Sequence, residues 1–165
     1  MAMAYQLDLD RWTRIFQDEA QDIRARDIWN LEFDLNIDPH NPSQGWKKYI
    51  RNTSASFHCT GCKRWWPSNQ VKVLFHMRLA KSGIVKVRPF CQNCKRCTNA
   101  PMLLPEISDE NITNLMRNLV KKIKIKCYNE PQTDENPGGK TFAVKSPHEP
   151  THCEGCIRGI CSEKE

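Results

Sequence analysis

The chain of 165 residues lacks long hydrophobic runs. No segment approaches the roughly 18 consecutive apolar residues that a membrane-spanning helix requires. The first residues, Met1 to Asp8, contain neither a basic segment nor an apolar core, so they do not predict a secretory signal peptide. We therefore expect a cytoplasmic protein with no membrane span of its own.

Sequence patterns typical of enzymes are missing as well. There is no phosphate-binding loop and no nucleophile elbow. A zinc deaminase requires His-x-Glu together with Pro-Cys-x-x-Cys, whereas here Glu149 directly follows His148 and no proline precedes a cysteine pair. We therefore expect a protein without enzymatic activity.

The composition is that of a folded domain with a moderate positive charge. Hydrophobic residues make up 39% and charged residues 27% of the chain, which excludes wholesale disorder. The formal net charge of +6 favours acidic partners, such as nucleic acid, an anionic membrane face or acidic protein segments. The charge alone does not choose among these partners.

Nine cysteines are the main feature of the sequence. Disulfides do not persist in a reducing compartment, and an odd number of cysteines cannot all pair within one chain. Six of the nine lie in three Cys-x-x-Cys pairs. Since such a pair places two sulfurs on one side of a tight turn, the pattern predicts metal binding.

Two of these pairs are predicted to form a first zinc site, with Cys59, Cys62, Cys94 and Cys97 as its ligands. A predicted β-hairpin separates the two pairs and would bring them together, which is the arrangement of a zinc ribbon. Cys91 leaves the pairing ambiguous, because Cys91 and Cys94 also have the required spacing. We expect Cys91 to serve instead as a small hydrophobic residue at a strand end.

The third pair predicts a second zinc site near the C-terminus, with His148, Cys153, Cys156 and Cys161 as ligands. Cys127 is the alternative fourth ligand, but closing a short loop to Cys161 has the smaller entropy loss. The other reading is a disordered tail with unused thiols. The sequence thus predicts two structural Zn²⁺ ions in total.

Hydrophobic periodicity predicts the elements around these sites. Residues 10–24 read as an amphipathic helix with Asp10 as N-cap, and a second helix is expected over 108–128 with Ser108 as N-cap. Strict alternation predicts a strand over 29–38. Two further strands, 71–77 and 84–90, form the predicted hairpin.

The expected fold class is α+β: a zinc-ribbon-like small antiparallel sheet, an N-terminal helix and a packed second helix. Four segments are predicted, namely an N-terminal helix within 1–28, a zinc-ribbon core with the second helix over 29–128, a linker over 129–150 with a short strand at 142–144, and a third CxxC segment, 151–165, that folds back on the core. Tryptophans 12, 46, 65 and 66 are expected to pack inside the domain and over the zinc turns.

Several motifs together resemble one family. They are Gln44-Gly45-Trp46-Lys47-x-Tyr49, Phe57-x-Cys59-x-x-Cys62-x-x-x-Trp66, Val73-Leu74-Phe75-His76-Met77, Val87-Arg88-x-Phe90-x-Gln92-x-Cys94-x-x-Cys97, Lys126-Cys127-Tyr128 and His148-x4-Cys153-Glu154-x-Cys156-x-x-Gly159. This set resembles the receptor-transporting proteins, which carry the three-CxxC type zinc finger.

The resemblance implies an accessory protein that promotes trafficking of G-protein-coupled receptors, odorant and taste receptors among them, to the plasma membrane. It would act by protein–protein binding as a chaperone-like adaptor at the cytosolic face of membranes. Family members usually carry a C-terminal single-pass membrane anchor, which this chain does not show before Glu165.

An RNA-binding, antiviral zinc-finger effector is the alternative function. The related zygote-arrest proteins share the third-pair pattern and resemble RNA-binding proteins, and one interferon-induced branch of the receptor transporters is antiviral. A basic stripe on the second helix, formed by Arg117, Lys121 and Lys124, would suit RNA phosphates. The same charges also complement the dipole of a helix C-terminus, so the stripe does not decide between the functions.

Overall fold

The computed structural model describes residues 2–23, 26–131 and 148–161, with the side chains of the first helix described from residue 8 onward. The elements are helix α1 (Ala2–Ala20), strands β1 (Trp29–Phe33), β2 (Lys47–His58), β3 (Trp65–Leu79) and β4 (Gly83–Pro89), helix α2 (Asp109–Tyr128), a 3₁₀ turn (Pro150–His152) and the short helix α3 (Glu154–Ile157). The predicted strand at 142–144 and residues 162–165 lie outside the described residues.

The four strands form one mixed sheet in the order β1-β4-β3-β2. The pairing of β3 with β4 is antiparallel, as the predicted hairpin requires, and β2, which was not predicted, pairs antiparallel with β3. The sheet was expected to be antiparallel throughout, and this is wrong for β1, which pairs with β4 in parallel. Alternation along the sequence has the same period in parallel and antiparallel strands, so it cannot reveal the direction of β1. The α+β class with a zinc-ribbon-like sheet and two helices is confirmed.

The main core lies between one face of the sheet and the helices α1 and α2. On β3, Val73, Phe75 and Met77 are completely buried in this core, and α2 contributes Leu119 and Ile123. The apolar face of α2 is therefore the face that packs on the sheet, as expected of a packed second helix. Burial of this face, rather than helix propensity, holds α2 in place.

A second, smaller hydrophobic cluster covers the opposite face of the sheet. Leu74 of β3 is its centre, surrounded by Ile37, Ile50, Phe90 and Ile160. We call this side the back face. Because residues of β3 are buried on both faces, the domain has three layers, and the C-terminal segment, residues 148–161, belongs to the third.

The start of α2 matches its predicted cap, but the start of α1 does not. The Ser108 hydroxyl accepts a hydrogen bond from the Asn111 backbone N–H at 3.2 Å, and Asn129 ends the helix in the left-handed region at φ 56°. Asp10 is not an N-cap, since α1 already begins at Ala2. The apolar periodicity marks the packed part of α1 and misses the first two turns.

Candidate metal centres

The first CxxC turn lies between β2 and β3. The Cys62 backbone N–H donates to the Cys59 sulfur at 3.5 Å and thereby lowers the pKa of the Cys59 thiol. Two backbone hydrogen bonds close the turn, from Cys59 N–H to the Arg64 carbonyl and from Lys63 N–H to the Cys59 carbonyl. Lys63 has a positive φ of 62°, which lets the chain reverse direction here.

The second CxxC turn follows β4 and is fixed to β3 through Gln92. The Gln92 side chain accepts a hydrogen bond from the Trp66 indole N–H at 2.9 Å and donates one to the Ser68 hydroxyl at 3.1 Å. The hairpin of β3 and β4 thus brings Cys94 and Cys97 opposite the first turn. This is the role that the sequence predicted for the hairpin.

The four thiols of these turns converge on one point. The Cys59 and Cys97 sulfurs are 3.7 Å apart, as are those of Cys62 and Cys94, and all four lie within 4.8 Å of one another. A tetrahedral Zn²⁺ with Zn–S bonds of about 2.3 Å separates its sulfurs by about 3.8 Å. The spacing and the soft thiolate donors therefore fit a closed zinc site, which we call the first centre.

Charges around the first centre favour thiolates. Burial raises the pKa of the Cys94 thiol, but hydrogen bonds from the Arg96 backbone N–H and from the Arg64 guanidinium outweigh it and lower the pKa to about 6. The Arg64 guanidinium lies 3.7 Å from the Cys94 sulfur. Hydrogen bonding with Cys59 raises the pKa of Cys97 to about 12. Zinc binding at this centre would displace the thiol protons.

Cys91 lies outside the first centre. Its thiol is half-buried, and burial next to Glu154 raises its pKa to about 12. A neutral thiol at the end of β4 behaves as a small hydrophobic residue. The geometry agrees with the pairing of Cys94 with Cys97 that the sequence favoured.

The second centre is formed by the four residues predicted near the C-terminus. Nε2 of His148 lies 3.2 Å from the Cys156 sulfur and 4.0 Å from that of Cys161, and the sulfurs of Cys153 and Cys161 are 3.5 Å apart. These distances match a tetrahedron with one imidazole and three thiolates, whose edges are about 3.6–3.8 Å. The two clusters are compatible with two structural zinc ions.

Nearby histidine and cysteine side chains have other partners. Nδ1 of His152 lies 2.7 Å from the Asn93 side-chain oxygen, so this ring holds the C-terminal segment and takes no part in the second centre. Cys127 packs beside the main core and belongs to neither cluster, in agreement with the preference for Cys161. A hydrogen bond from Cys161 lowers the pKa of Cys153 to about 5.

Of the four tryptophans that were expected to be packed, one is placed differently. Trp12 is buried, Trp66 stacks on Phe57, and the Trp46 ring contacts two cationic side chains. Trp65, by contrast, is 54% exposed and stacks on the His58 ring at 4.4 Å. The alternation of β3 turns this indole away from the main core at the strand's first residue, so an expectation of burial was wrong.

The basic stripe on α2, which the sequence offered as a surface for RNA phosphates, lies against acidic side chains instead. Arg117 forms an ion pair with Glu19 at 3.4 Å, and Lys124 pairs with Asp22. The stripe therefore faces the end of α1 and the turn after it, where acidic side chains neutralise it. This pairing connects elements about 100 positions apart, which no local pattern could indicate.

The described residues contain no helix that is both long and apolar enough to cross a bilayer.

Comparison with known proteins places this architecture in a family. A family model described as a zinc-binding domain, of the three-CxxC zinc-ribbon type, matches residues 52–159. This range contains all four cysteines of the first centre and three of the four residues of the second, and stops before Cys161. No solved structure matches the chain.

Several characterised relatives align over almost the whole chain. Receptor-transporting protein 3 of Mus musculus is 35% identical over 96% of this chain and 34% of its own length. Receptor-transporting protein 4 of Homo sapiens is 31% identical over 95% of this chain and 66% of its own length. Receptor-transporting protein 2 of Mus musculus is 31% identical over 96% and 73%. The chain thus spans about a third to three quarters of these relatives, and it belongs to the receptor-transporting protein family.

Proposed function

We propose that the chain is a zinc-stabilised accessory protein that binds G-protein-coupled receptors and promotes their delivery to the plasma membrane, at the cytosolic face of membranes. One observation carries the proposal: relatives named for receptor transport align over about 95% of the chain. The odorant- and taste-type receptors are the proposed partners.

We assign Cys59, Cys62, Cys94 and Cys97 to one structural zinc and His148, Cys153, Cys156 and Cys161 to the other. When bound, each ion would cross-link its segment of chain. A full set of four protein ligands leaves no open position for water or substrate, which a catalytic zinc requires. The geometry therefore supports a binding role rather than an enzymatic one.

RNA binding is the second candidate function, and an exposed aromatic side chain supports it. Trp65 stacks on His58 beside the first CxxC turn, where Lys63, Lys95 and Arg96 are exposed. Exposed aromatic rings flanked by cations are a common platform for single-stranded nucleic acid. The stripe of Arg117, Lys121 and Lys124 contributes less to this candidate than the sequence indicated, because Glu19 of α1 and Asp22 of the following turn already pair with two of the three.

A pair of binding assays with matched variants distinguishes the two functions. The receptor assay is co-purification from solubilised membranes in ~150 mM salt, together with surface labelling of an odorant-type receptor. The RNA assay measures the salt dependence of binding to a labelled single-stranded RNA. Trp65→Ala tests the RNA platform, and Arg117→Gln/Lys121→Gln/Lys124→Gln is the matched variant on another surface.

We expect receptor co-purification and surface delivery to persist in both variants, since neither alters the metal centres or the core. Any RNA affinity should be weak and fall steeply with salt, by about one unit of log–log slope per phosphate contact. Tight RNA binding that Trp65→Ala abolishes, with no receptor co-purifying at any salt concentration, would favour the second function and contradict the first.

A further inference from the structure

A buried ion pair attaches the third CxxC turn to the sheet. The Arg88 guanidinium on β4 donates to the carboxylate of Glu154, the residue after Cys153, at 3.1 Å. Only 8% of the Arg88 side chain and 18% of the Glu154 side chain are exposed. Arg88 also donates to the Ile37 carbonyl at 2.8 Å and lies over the Phe90 ring. The arginine is therefore held rigidly from three sides.

Backbone hydrogen bonds extend this contact along the end of β4. The Cys91 N–H donates to the second carboxylate oxygen of Glu154 at 3.1 Å, and the Glu154 N–H donates to the Cys91 carbonyl at 2.9 Å. Two residues further, the Asn93 N–H donates to the His152 carbonyl at 2.9 Å. The residues on both sides of Cys153 are thus hydrogen-bonded to the chain that directly follows β4.

A buried apolar side chain also attaches the C-terminal segment to the sheet. Ile160, the residue before Cys161, is fully buried on the back face against Leu74 and Ile50. The His40 ring nitrogen bonds to the Arg158 carbonyl at 2.8 Å on the same side. The sheet consequently holds both ends of the loop from Cys153 to Cys161.

We propose that Arg88, which touches no ligand atom, is a positioning residue that sets the zinc affinity of the second centre. Its pairing with Glu154 holds the third CxxC turn in shape before metal arrives, so less ordering accompanies binding. Coupling between two sites is reciprocal, so zinc at the second centre also strengthens the contact with Arg88 and keeps the back face covered. This inference rests on the ligand assignment above and is independent of the receptor role.

Arg88→Met in the full chain tests the proposal. The substitution removes the buried partner of Glu154 and leaves only the more exposed Arg158 guanidinium, 3.4 Å away, as its cation. We expect the dissociation constant of the second zinc to rise by about 10–100-fold. The first zinc should bind as before. The measurement is competition for Zn²⁺ with a chromophoric chelator. Arg117→Met is the matched control, because it removes an exposed ion pair with Glu19 and should change neither constant.

A double variant separates positioning from the cost of a buried charge that has lost its partner. In Arg88→Met/Glu154→Gln that charge is removed and the Cys91 N–H retains an acceptor, but the pairing that holds the turn is not restored, so the second-centre affinity should stay below that of the unsubstituted chain. An Arg88→Met protein with an intact sheet and an unchanged second zinc constant would overturn the proposal. Full recovery of the affinity in the double variant would also count against it, because the loss in Arg88→Met would then come from the charge alone.

A measurement on the unsubstituted chain avoids any folding defect of the variants. Zinc is withdrawn stepwise with a chelator, alkylation of Cys153 and Cys161 reports when the second centre has lost its ion, and amide hydrogen exchange is read at Cys91 and Asn93. Exchange at these two amides should accelerate with loss of the second zinc while β3 stays protected. Unchanged exchange at both amides after loss of that ion would overturn the proposed coupling.

Discussion

The two metal centres use the same CxxC turn for different structural purposes. The first joins turns that follow β2 and β4, and its cysteines 59 and 97 are 38 positions apart. The second is formed within the C-terminal segment, where His148 and Cys161 are 13 positions apart. Closing the longer loop has an entropy loss about 1 kcal/mol greater. The first centre is therefore part of the sheet, and the second fastens a peptide onto it.

This difference predicts that the centres fail in different ways. Loss of the first zinc separates the ends of the central hairpin, on which the main core depends. Loss of the second zinc releases a segment whose apolar contact with the sheet is the small back-face cluster, beside the Arg88–Glu154 pair and a few backbone hydrogen bonds. Substitutions that remove, weaken or leave each centre unchanged test the distinction.

Removal of a first-centre ligand should have the largest effect on the stability of the domain. Cys94→Ser deletes a buried thiolate, and the binding free energy of a structural zinc, about 10–16 kcal/mol, is largely folding free energy. That is as large as the total stability of a typical small domain, about 5–15 kcal/mol. We expect loss of cooperative thermal unfolding by circular dichroism and loss of the first zinc in native mass spectrometry.

Cys91→Ser is the matched control for that experiment, because its thiol belongs to neither centre. The Cys91→Ser protein should bind two zinc ions and unfold in a cooperative thermal transition. If Cys91→Ser released the first zinc while Cys97→Ser retained it, the pairing of Cys94 with Cys97 would be wrong.

Removal of a second-centre ligand should have an intermediate effect. Cys156→Ser should release one zinc and free the C-terminal segment while the main core persists. Re-exposing Ile160 then lowers the free energy of unfolding by about 1.5–3 kcal/mol, which urea denaturation can resolve. Global unfolding as complete as that of Cys94→Ser would show that the second centre is also integral to the fold.

Local patterns sufficed to predict the centres because their information is local. A CxxC turn, the hairpin of β3 and β4, and the cap at Ser108 are each encoded within a few consecutive residues. The eight proposed ligands follow from spacing and loop closure, and the structure brings the same eight together in two clusters. Their role as zinc ligands stays a prediction.

The features that sequence reasoning missed depend on distant partners. Strand β2 carries many polar residues and a bulge between Thr53 and Ala55, which interrupts the alternation that marks a strand. The parallel direction of β1 depends on its partner rather than on its own residues. Arg88 and Glu154 are 66 positions apart, and only the fold shows that they meet.

The smallest substitution in this comparison adds one methyl group to the equivalent glycine of each centre. A Cβ at Gly155 would lie 2.7 Å from the Cys161 sulfur, closer than real Cβ contacts allow. A Cβ at Gly61 would lie 3.6 Å from the sulfurs of Cys59 and Cys97, which is an ordinary van der Waals distance. Neither glycine has a positive φ, so the difference between them is one of space alone.

Gly155→Ala should therefore lower the zinc affinity of the second centre by about tenfold, or about 1.4 kcal/mol. Gly61→Ala should leave the zinc affinity of the first centre within about twofold of its original value. Helix propensity opposes this outcome, because alanine is favoured over glycine in the short helix α3, so a loss of affinity must come from the displaced sulfur. Chelator competition on both variants gives the two constants. Equal effects at the two centres would mean that the second is as adaptable as the first, and that the close contact of Gly155 with Cys161 does not constrain its metal.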